Sequence, residues 1–436
     1  MYLANNRSMI GLMEHHDKKW YRLDNAAKLY PAIRSRRWTA VFRVSAKLYE
    51  PVDKQLLQRA LDITLPRLGV FSYKLKAGLF WYYFEKNRKP ARVMDDAVNP
   101  CIRLYTKERT GHLFRVRTHG KRISLEVFHS VSDGFGGSVF LKTLVAQYLK
   151  LQGHDIPATH GVLDCSQPPA DEELEDGFLR HYNKKAVRPW KERRAYQIKG
   201  TSEPGHTLNI IRGLISVKQL KAAAKQYKVT LTEYLVAAYM FALYNVQKQE
   251  NPRQIRPITV SVPVNLRRFF DTKTLRNFSS YINPEINANW GEYTFEEVIY
   301  VVHHFLRQNL TNKMLGSKMS KNVKAEKSIF VRAMPLFIKN IIISIVFHIA
   351  GETRMTSTLT NLGLIDMPEQ MVPHVERFDM MLGAPRHNKI CCAVCSYKDI
   401  LNVCFTSTMK ETHVEKEFFT LLVKNGIHVK LETNRE

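Results

Sequence analysis

A chain of 436 residues, 44% hydrophobic and 24% charged, has the apolar content for a sizeable core and is neither a disordered nor a fibrous sequence. At roughly 150 residues per domain it exceeds one ordinary core, so two large halves are expected. The 66 Lys and Arg against 40 Asp and Glu leave +26 at pH 7, a field that draws polyanions: nucleic acid, an anionic membrane surface or a phosphorylated small molecule.

Met1 to Lys19 lacks the apolar core of a secretory signal, and six cysteines in so long a chain make no disulfide framework. Reduced thiols and a cytoplasmic location are therefore expected. Thr39 to Tyr49 alternates as a strand, and Val52 to Leu68 places Leu56, Leu57, Ala60, Leu61 and Leu65 at helical spacing behind Asp53. Two strand pairs follow, Phe71 to Lys76 with Leu79 to Glu85 turning at Gly78, and Leu113 to Thr118 with Arg122 to Phe128 turning at Gly120. After the second pair come His129, a run of small residues, and an apolar helix over Val139 to Leu151.

Between Gly153 and Gly205 the texture changes to prolines, an acidic run at Asp171 to Asp176 and a basic cluster from Lys184 to Arg194. Such a stretch suits a crossover, which gives halves at 1–165 and 206–436 joined through 166–205. Ser216 is placed to cap a helix through Tyr227, and Thr230-Leu231-Thr232-Glu233 has capping-box spacing before a helix over Tyr234 to Val246. Strands are expected at Ile258 to Val264, Ile390 to Tyr397 and Leu401 to Thr408, with a helix-rich part from Phe295 to His348 between them. Pro335 to Ala350 is strongly apolar, but Lys339 and His348 interrupt it and leave it short of a span of roughly 18 to 20 residues. It reads as a buried helix or as an amphipathic helix lying on the surface, so peripheral membrane contact stays open. Cys391, Cys392 and Cys395 read as small hydrophobes of a buried strand; zinc would need further ligands at matching spacing. No metal is expected, and without a zinc-finger spacing or an RNP-like strand neither is nucleic acid.

His129 carries the chemistry. Alternation puts Ile123, Leu125, Val127 and His129 on one face of their strand, so the histidine ends an apolar face where burial keeps the imidazole neutral, as a general base requires. A lone histidine there is more often a hydrogen-bonded core residue. Asp133 follows after three small residues, and Gly134, Gly136 and Gly137 lead into the helix, a turn that allows positive φ and close backbone approach while Asp133 locks the loop.

His129-Ser130-Val131-Ser132-Asp133-Gly134, after a strand and before a helix, resembles the His-x-x-x-Asp-Gly signature of the coenzyme A-dependent acyltransferase superfamily. That superfamily includes chloramphenicol acetyltransferase, wax ester synthases, peptide-synthetase condensation domains and alcohol acetyltransferases. Further segments in matching order are Trp20 to Ala32 with Val41-Phe42-Arg43, Val262 to Arg267 followed by Asn277-Phe278, and Thr360-Asn361-Leu362-Gly363. The last is similar to the Ser-Asn-Leu-Gly element of the alcohol acetyltransferase branch, with Thr360 in place of Ser. The likeness runs from about Trp20 to the C-terminus.

The resemblance implies an α/β (α+β) fold of two chloramphenicol acetyltransferase-like domains, each a mixed sheet flanked by helices, with a tunnel between them and His129 midway. It implies transfer of an acetyl or longer acyl group from acyl-CoA, or from an acyl-carrier protein, to a small-molecule hydroxyl, by direct attack and without a permanently bound cofactor. Asp133 would be structural, paired with Arg267 or Arg276, and Gly134 would support the same turn. Thr360, Asn361, Gly363 and Asn277 are tunnel-lining candidates, although Asn-Leu-Gly is equally a turn-forming string. Phe128 stands where condensation domains carry a second His, and the plant motif Asp-Phe-Gly-Trp-Gly is absent. A monomer is expected. An N-acyltransferase or condensation-type enzyme of the same fold, and a catalytically silent binding or membrane-associated homologue, are the alternatives.

Overall fold

The computed structural model of the chain describes residues 20–35, 38–104, 111–184, 193–204, 207–250, 252–383 and 388–435. Met1 to Lys19 and most of the basic cluster Lys184 to Arg194 lie outside the described residues. The first half carries strands β1 (Trp20–Arg22), β2 (Val41–Leu48), β3 (Tyr73–Ala77), β4 (Tyr82–Lys86), β5 (Val93–Asp95), β6 (Phe114–His119) and β7 (Arg122–Phe128). Its helices are α1 (Leu29–Ile33), α2 (Lys54–Arg67) and α3 (Gly134–Leu151). Two short helices, α4 (Asp171–Leu174) and α5 (Gly177–Arg180), lie in the crossover. There follow β8 (Asn209–Ser216), α6 (Val217–Gln226), α7 (Leu231–Glu250), β9 (Ile258–Asn265), β10 (Ser279–Ile282) and β11 (Glu285–Ile286). Helices α8 (Phe295–Asn309), α9 (Asn312–Lys327), α10 (Ile329–Ala333) and α11 (Leu336–Ala350) come next. The chain ends with β12 (Ser357–Leu364), β13 (Val375–Leu382), β14 (Ile390–Tyr397), β15 (Ile400–Ser407), α12 (His413–Lys424) and β16 (Val429–Thr433).

A five-stranded sheet runs in the order β13-β2-β7-β6-β5, and an eight-stranded one in the order β10-β9-β12-β14-β15-β8-β16 with β11 on β9. Strands β1, β4 and β3 form a small third sheet. In the five-stranded sheet Phe42, Val44, Ile123, Leu125 and Val127 are buried on the face that α2 and α3 cover. Burial of Phe140, Leu141, Leu144 and Val145 from α3 contributes roughly 1.5–3 kcal/mol each for the larger side chains. Helix α7 is buried nearly all round, from Tyr234 to Met240, and forms the centre of the second core. Its start is the expected capping box: Thr230 N donates to Glu233 Oε2 at 2.7 Å and Glu233 N to Thr230 Oγ1 at 3.2 Å.

Strand β13 belongs to the second half of the sequence but pairs antiparallel with β2, Phe378 opposite Ala46 and Met380 opposite Val44. It stitches the second half into the sheet that holds His129. The other face of that sheet is polar and packs toward the eight-stranded sheet. Arg43, Arg115 and Arg117 surround the buried Glu126, while Arg377 and Arg212 flank Asp379 and reach Glu432. The Arg377 guanidinium holds the Glu432 carboxyl down to about 2 against the opposing effect of burial.

Two expectations change. The glycines after Asp133 do not precede the helix; they form its first turn, because Asp133 caps it and accepts from Gly136 N at 3.3 Å. Helix α11 is not buried: Phe337, Ile341, Ile345, Val346 and Ile349 face outward. With the 3-10 turn after it the helical run covers Leu336–Arg354, 19 residues, long and apolar enough to cross a membrane, and 12% of its apolar window is buried.

A candidate acyl-transfer site at His129

His129 leaves the end of β7 with its backbone N–H bonded to Ala40 O at 2.8 Å. Its ring is clamped on two sides. Tyr30 of α1 stacks on it at 4.5 Å with planes 16° apart, and Phe42 of β2 meets it edge-on at 5.1 Å. Asn277, 148 residues later in the chain, brings Oδ1 to 3.1 Å from His129 Nδ1 and donates through Nδ2 to Ser130 O at 3.4 Å. Since the Asn277 amide nitrogen is turned to Ser130, its oxygen faces the ring as acceptor. Nδ1 then carries the hydrogen, and Nε2 keeps its lone pair. Burial pushes the His129 pKa below its ordinary value, against the opposing pull of the Asp133 charge and the Asn277 bond. The ring is thus a neutral acceptor at pH 7. Burial pushes the Tyr30 phenol far up, so Tyr30 remains protonated and acts on His129 through its ring face.

Asp133 is tied from three directions. Arg267 Nη1 donates to its Oδ2 at 2.8 Å, Phe278 N to the same oxygen at 2.9 Å, and Gly136 N to Oδ1. Arg267 also donates to Thr274 O at 2.8 Å, Arg276 O at 2.5 Å and Asn265 Oδ1 at 3.1 Å, and its guanidinium lies over the Phe135 ring. This buried pair fixes the segment Thr274 to Phe278 against the start of α3, and with it Asn277 against His129. Arg276, the other candidate partner, turns elsewhere: it donates to Arg22 O at 2.6 Å and lies 3.5 Å from Asp24 Oδ2.

The glycines matter through space rather than through positive φ. A Cβ on Gly136 would sit 2.1 Å from Ser132 Oγ and 2.3 Å from Leu275 O, and one on Gly137 would meet the Phe42 ring at 2.8 Å. Gly134 is covered less tightly, by Leu362 and Met380. Leu362 thereby brings the Thr360 to Gly363 element of β12 to the start of α3. Within that element Thr360 is half-buried, Asn361 Nδ2 donates to Thr232 Oγ1 at 3.0 Å, and Gly363, at φ +83°, donates its N–H to Asn361 Oδ1 at 2.8 Å. The string forms a turn whose polar groups are engaged within the protein, which leaves neither Asn361 nor the Gly363 N–H free to hold an oxyanion in this conformation.

A cavity of about 310 Å³ lies between the two sheets, lined by Arg43, Arg122, Arg212, Asp96 and Glu432, and its walls do not include His129. Among the described residues no group of three or more His, Cys, Asp or Glu side chains is arranged to hold a metal. Cys391, Cys392 and Cys395 are buried in β14, where burial pushes all three thiols up and away from the thiolate. Tyr30 and Phe42 are the neighbours of His129 that spacing did not single out, although both lie in segments carrying the family resemblance.

Two sheets in two-half order, a His-x-x-x-Asp-Gly turn between strand and helix, and a crossover strand define a condensation-type acyltransferase fold. Structures of the same fold include the trichothecene 15-O-acetyltransferase TRI3 of Fusarium sporotrichioides, at 10% identity with 93% of this chain and 95% of that one covered and a TM-score of 0.59. The starter condensation domain of rhizomide synthetase RzmA, a double mutant solved with C8-CoA and Leu-SNAC, gives 11% identity, 96% coverage of both chains and a TM-score of 0.58. Wax ester synthase/diacylglycerol acyltransferase of Marinobacter aquaeolei VT8 gives 12% identity, coverage of 93% and 100%, and a TM-score of 0.52. No curated protein sequence is significantly similar. The sequence model of the alcohol acetyltransferase family matches residues 184–425, more than half of the chain, and the chain belongs to that family. Acyl transfer is the reaction class that follows.

Proposed function

We propose that the chain is an O-acyltransferase that moves an acetyl or longer acyl group from acyl-CoA to a small-molecule hydroxyl, with His129 Nε2 as general base. The observation that carries this reading is the His129–Asn277 bond, which puts the hydrogen on Nδ1 and leaves Nε2 as the proton acceptor. The acceptor hydroxyl gives its proton to Nε2 as its oxygen attacks the thioester carbonyl carbon. The tetrahedral intermediate collapses with cleavage of the carbon–sulfur bond, and Nε2 returns the proton to the departing thiolate. Direct transfer needs no acyl-enzyme, and the thiols best placed by burial to be inert are those of β14. Asp133 and Arg267 hold the turn and Asn277 in place, touching neither substrate. Membership of an alcohol acetyltransferase family supports a hydroxyl acceptor, and the C8-CoA in the rhizomide synthetase domain supports a coenzyme A thioester as donor. The basic surplus of +26 suits its phosphates.

The test is free thiol released by the purified protein only when acyl-CoA and an alcohol are both present, with an alkali-labile product as expected of an ester. His129→Ala is expected to lose at least about a hundredfold in rate. Full activity in that variant refutes the base, and an alkali-stable product replaces the alcohol with an amine.

A further inference from the structure

Helix α11 presents its apolar residues the wrong way round for a core helix. Phe337, Ile341, Ile345 and Ile349, each four residues from the next, form an outward stripe exposed by 69%, 59%, 52% and 49%, with Val346 beside it at 55%. Immediately before it on α10, Ile329 and Phe330 are exposed by 77% and 82%. The opposite side of α11 is pinned along its length. Leu336 N donates to Leu79 O at 2.8 Å, the buried Lys339 sends Nζ to Phe80 O at 2.8 Å over the Trp81 ring, Asn340 donates to Tyr82 Oη at 2.9 Å, and Phe347 stacks on Trp38. An exposed aliphatic stripe of roughly 22 Å, fifteen residues at about 1.5 Å each, is rare on a protein that meets only water.

The charge beside the stripe is one-sided. From Asn312 to Arg332 the chain carries Lys313, Lys318, Lys321, Lys324, Lys327 and Arg332 against a single acid, Glu326, which is itself held by Lys28 and Asn25. We propose that α11, with Phe330, is a docking surface for an anionic lipid bilayer. The helix lies flat at the level of the lipid carbonyls, its outward stripe enters the acyl region, and the basic residues of α9 and α10 meet the lipid phosphates. A transmembrane placement would break every contact on the pinned side. Helix α11 also packs on α1, whose Tyr30 stacks on His129, so the membrane-facing layer is the neighbour of the candidate site.

Vesicle flotation of the full chain tests this and needs no activity. The protein is expected to float with phosphatidylcholine vesicles that contain phosphatidylserine, much less with phosphatidylcholine alone, and less as salt rises. Ile341→Asn with Ile345→Asn is expected to lower partitioning about tenfold or more, while Val423→Asn, an exposed apolar residue of α12, floats as wild type. Lys321→Glu with Lys324→Glu, polar at both ends, serves as a second variant and is expected to abolish the preference for phosphatidylserine with an unchanged melting temperature. Wild type that does not float, or stripe variants that float equally, overturns the proposal. So does resistance to alkaline carbonate extraction, which marks a span, and so does a dimer in light scattering that the stripe variants convert to monomer.

Discussion

Asn277→Asp places a carboxylate where the amide oxygen now faces His129 Nδ1 at 3.1 Å. In the wild type, burial outweighs the charge of Asp133 and keeps the histidine pKa below its ordinary 6.5, so the base stays neutral into mildly acidic solution. An anion in contact with the ring favours the imidazolium and raises the pKa by roughly 1–3 units, or about 1.4–4 kcal/mol. The acid limb of kcat/KM, set by protonation of Nε2, therefore moves to higher pH. At about pH 6.5 the variant is expected to run at least about tenfold slower than wild type, with most of the loss recovered near pH 9. Asn277→Ala is the companion: it removes the group that fixes the tautomer without adding charge, so roughly ten- to a hundredfold is lost with no upward move of the limb. The assay is release of free thiol from acyl-CoA at a fixed alcohol concentration, followed across the pH range. A limb that stays put in Asn277→Asp, or moves to lower pH, refutes the assignment of Nδ1–H to the asparagine.

Arg267→Met leaves the Asp133 carboxylate buried without its cation, at a cost of roughly 3–5 kcal/mol. By thermal melting this is a fall of at least about 6 °C, and a change under about 2 °C counts against the brace. Gly136→Ala forces a methyl against Ser132 and the Leu275 carbonyl, and a cost of about 1–3 kcal/mol or more should appear as a lower urea midpoint; an unchanged midpoint would mean that the turn relaxes freely. Asp24 is fully buried, and burial, only partly offset by Arg276, raises its pKa to about 6. The folded state therefore holds a proton that the unfolded chain has already lost, and stability falls as pH rises from about 4 to 6, by at most about 3 kcal/mol. Asp24→Asn should flatten that part of the melting-temperature profile; an identical slope in the variant assigns the dependence elsewhere.

Local patterns were readable where one short segment contains all the partners. Thr230 and Glu233 satisfy each other three residues apart, Ser216 caps the helix behind it, and β14 occupies Ile390 to Tyr397 as alternation and length required. The strand-turn-helix around His129 was legible for the same reason. Its completion was not, because the ring is held by Asn277 and Tyr30, one far downstream and one far upstream, and no local spacing links them. The glycine run misled in a specific way. Glycine's low helix propensity argues for a loop, but Asp133 supplies the cap and Leu275 leaves no room for a side chain, so tertiary approach overrode propensity. The hydropathy of Pro335 to Ala350 was visible, but which way it faced depended on the anchoring of Lys339 and Asn340 to Phe80 and Tyr82. The polar layer around Glu126 and Asp379 was hidden altogether, since arginines inside the fold and on its surface look alike in a chain with 66 basic residues.

Strand β13 has a consequence for synthesis. The five-stranded sheet of the first half has an open edge at β2 until residues Val375–Leu382 arrive, near the end of a 436-residue chain. During translation that edge presents unpaired backbone for most of the ribosome's transit, a template that other chains can join. The nascent first half has to be shielded or kept loose until its own last strand is made. A ribosome that stalls before residue 375 would leave a first half that is prone to aggregate rather than a smaller working protein.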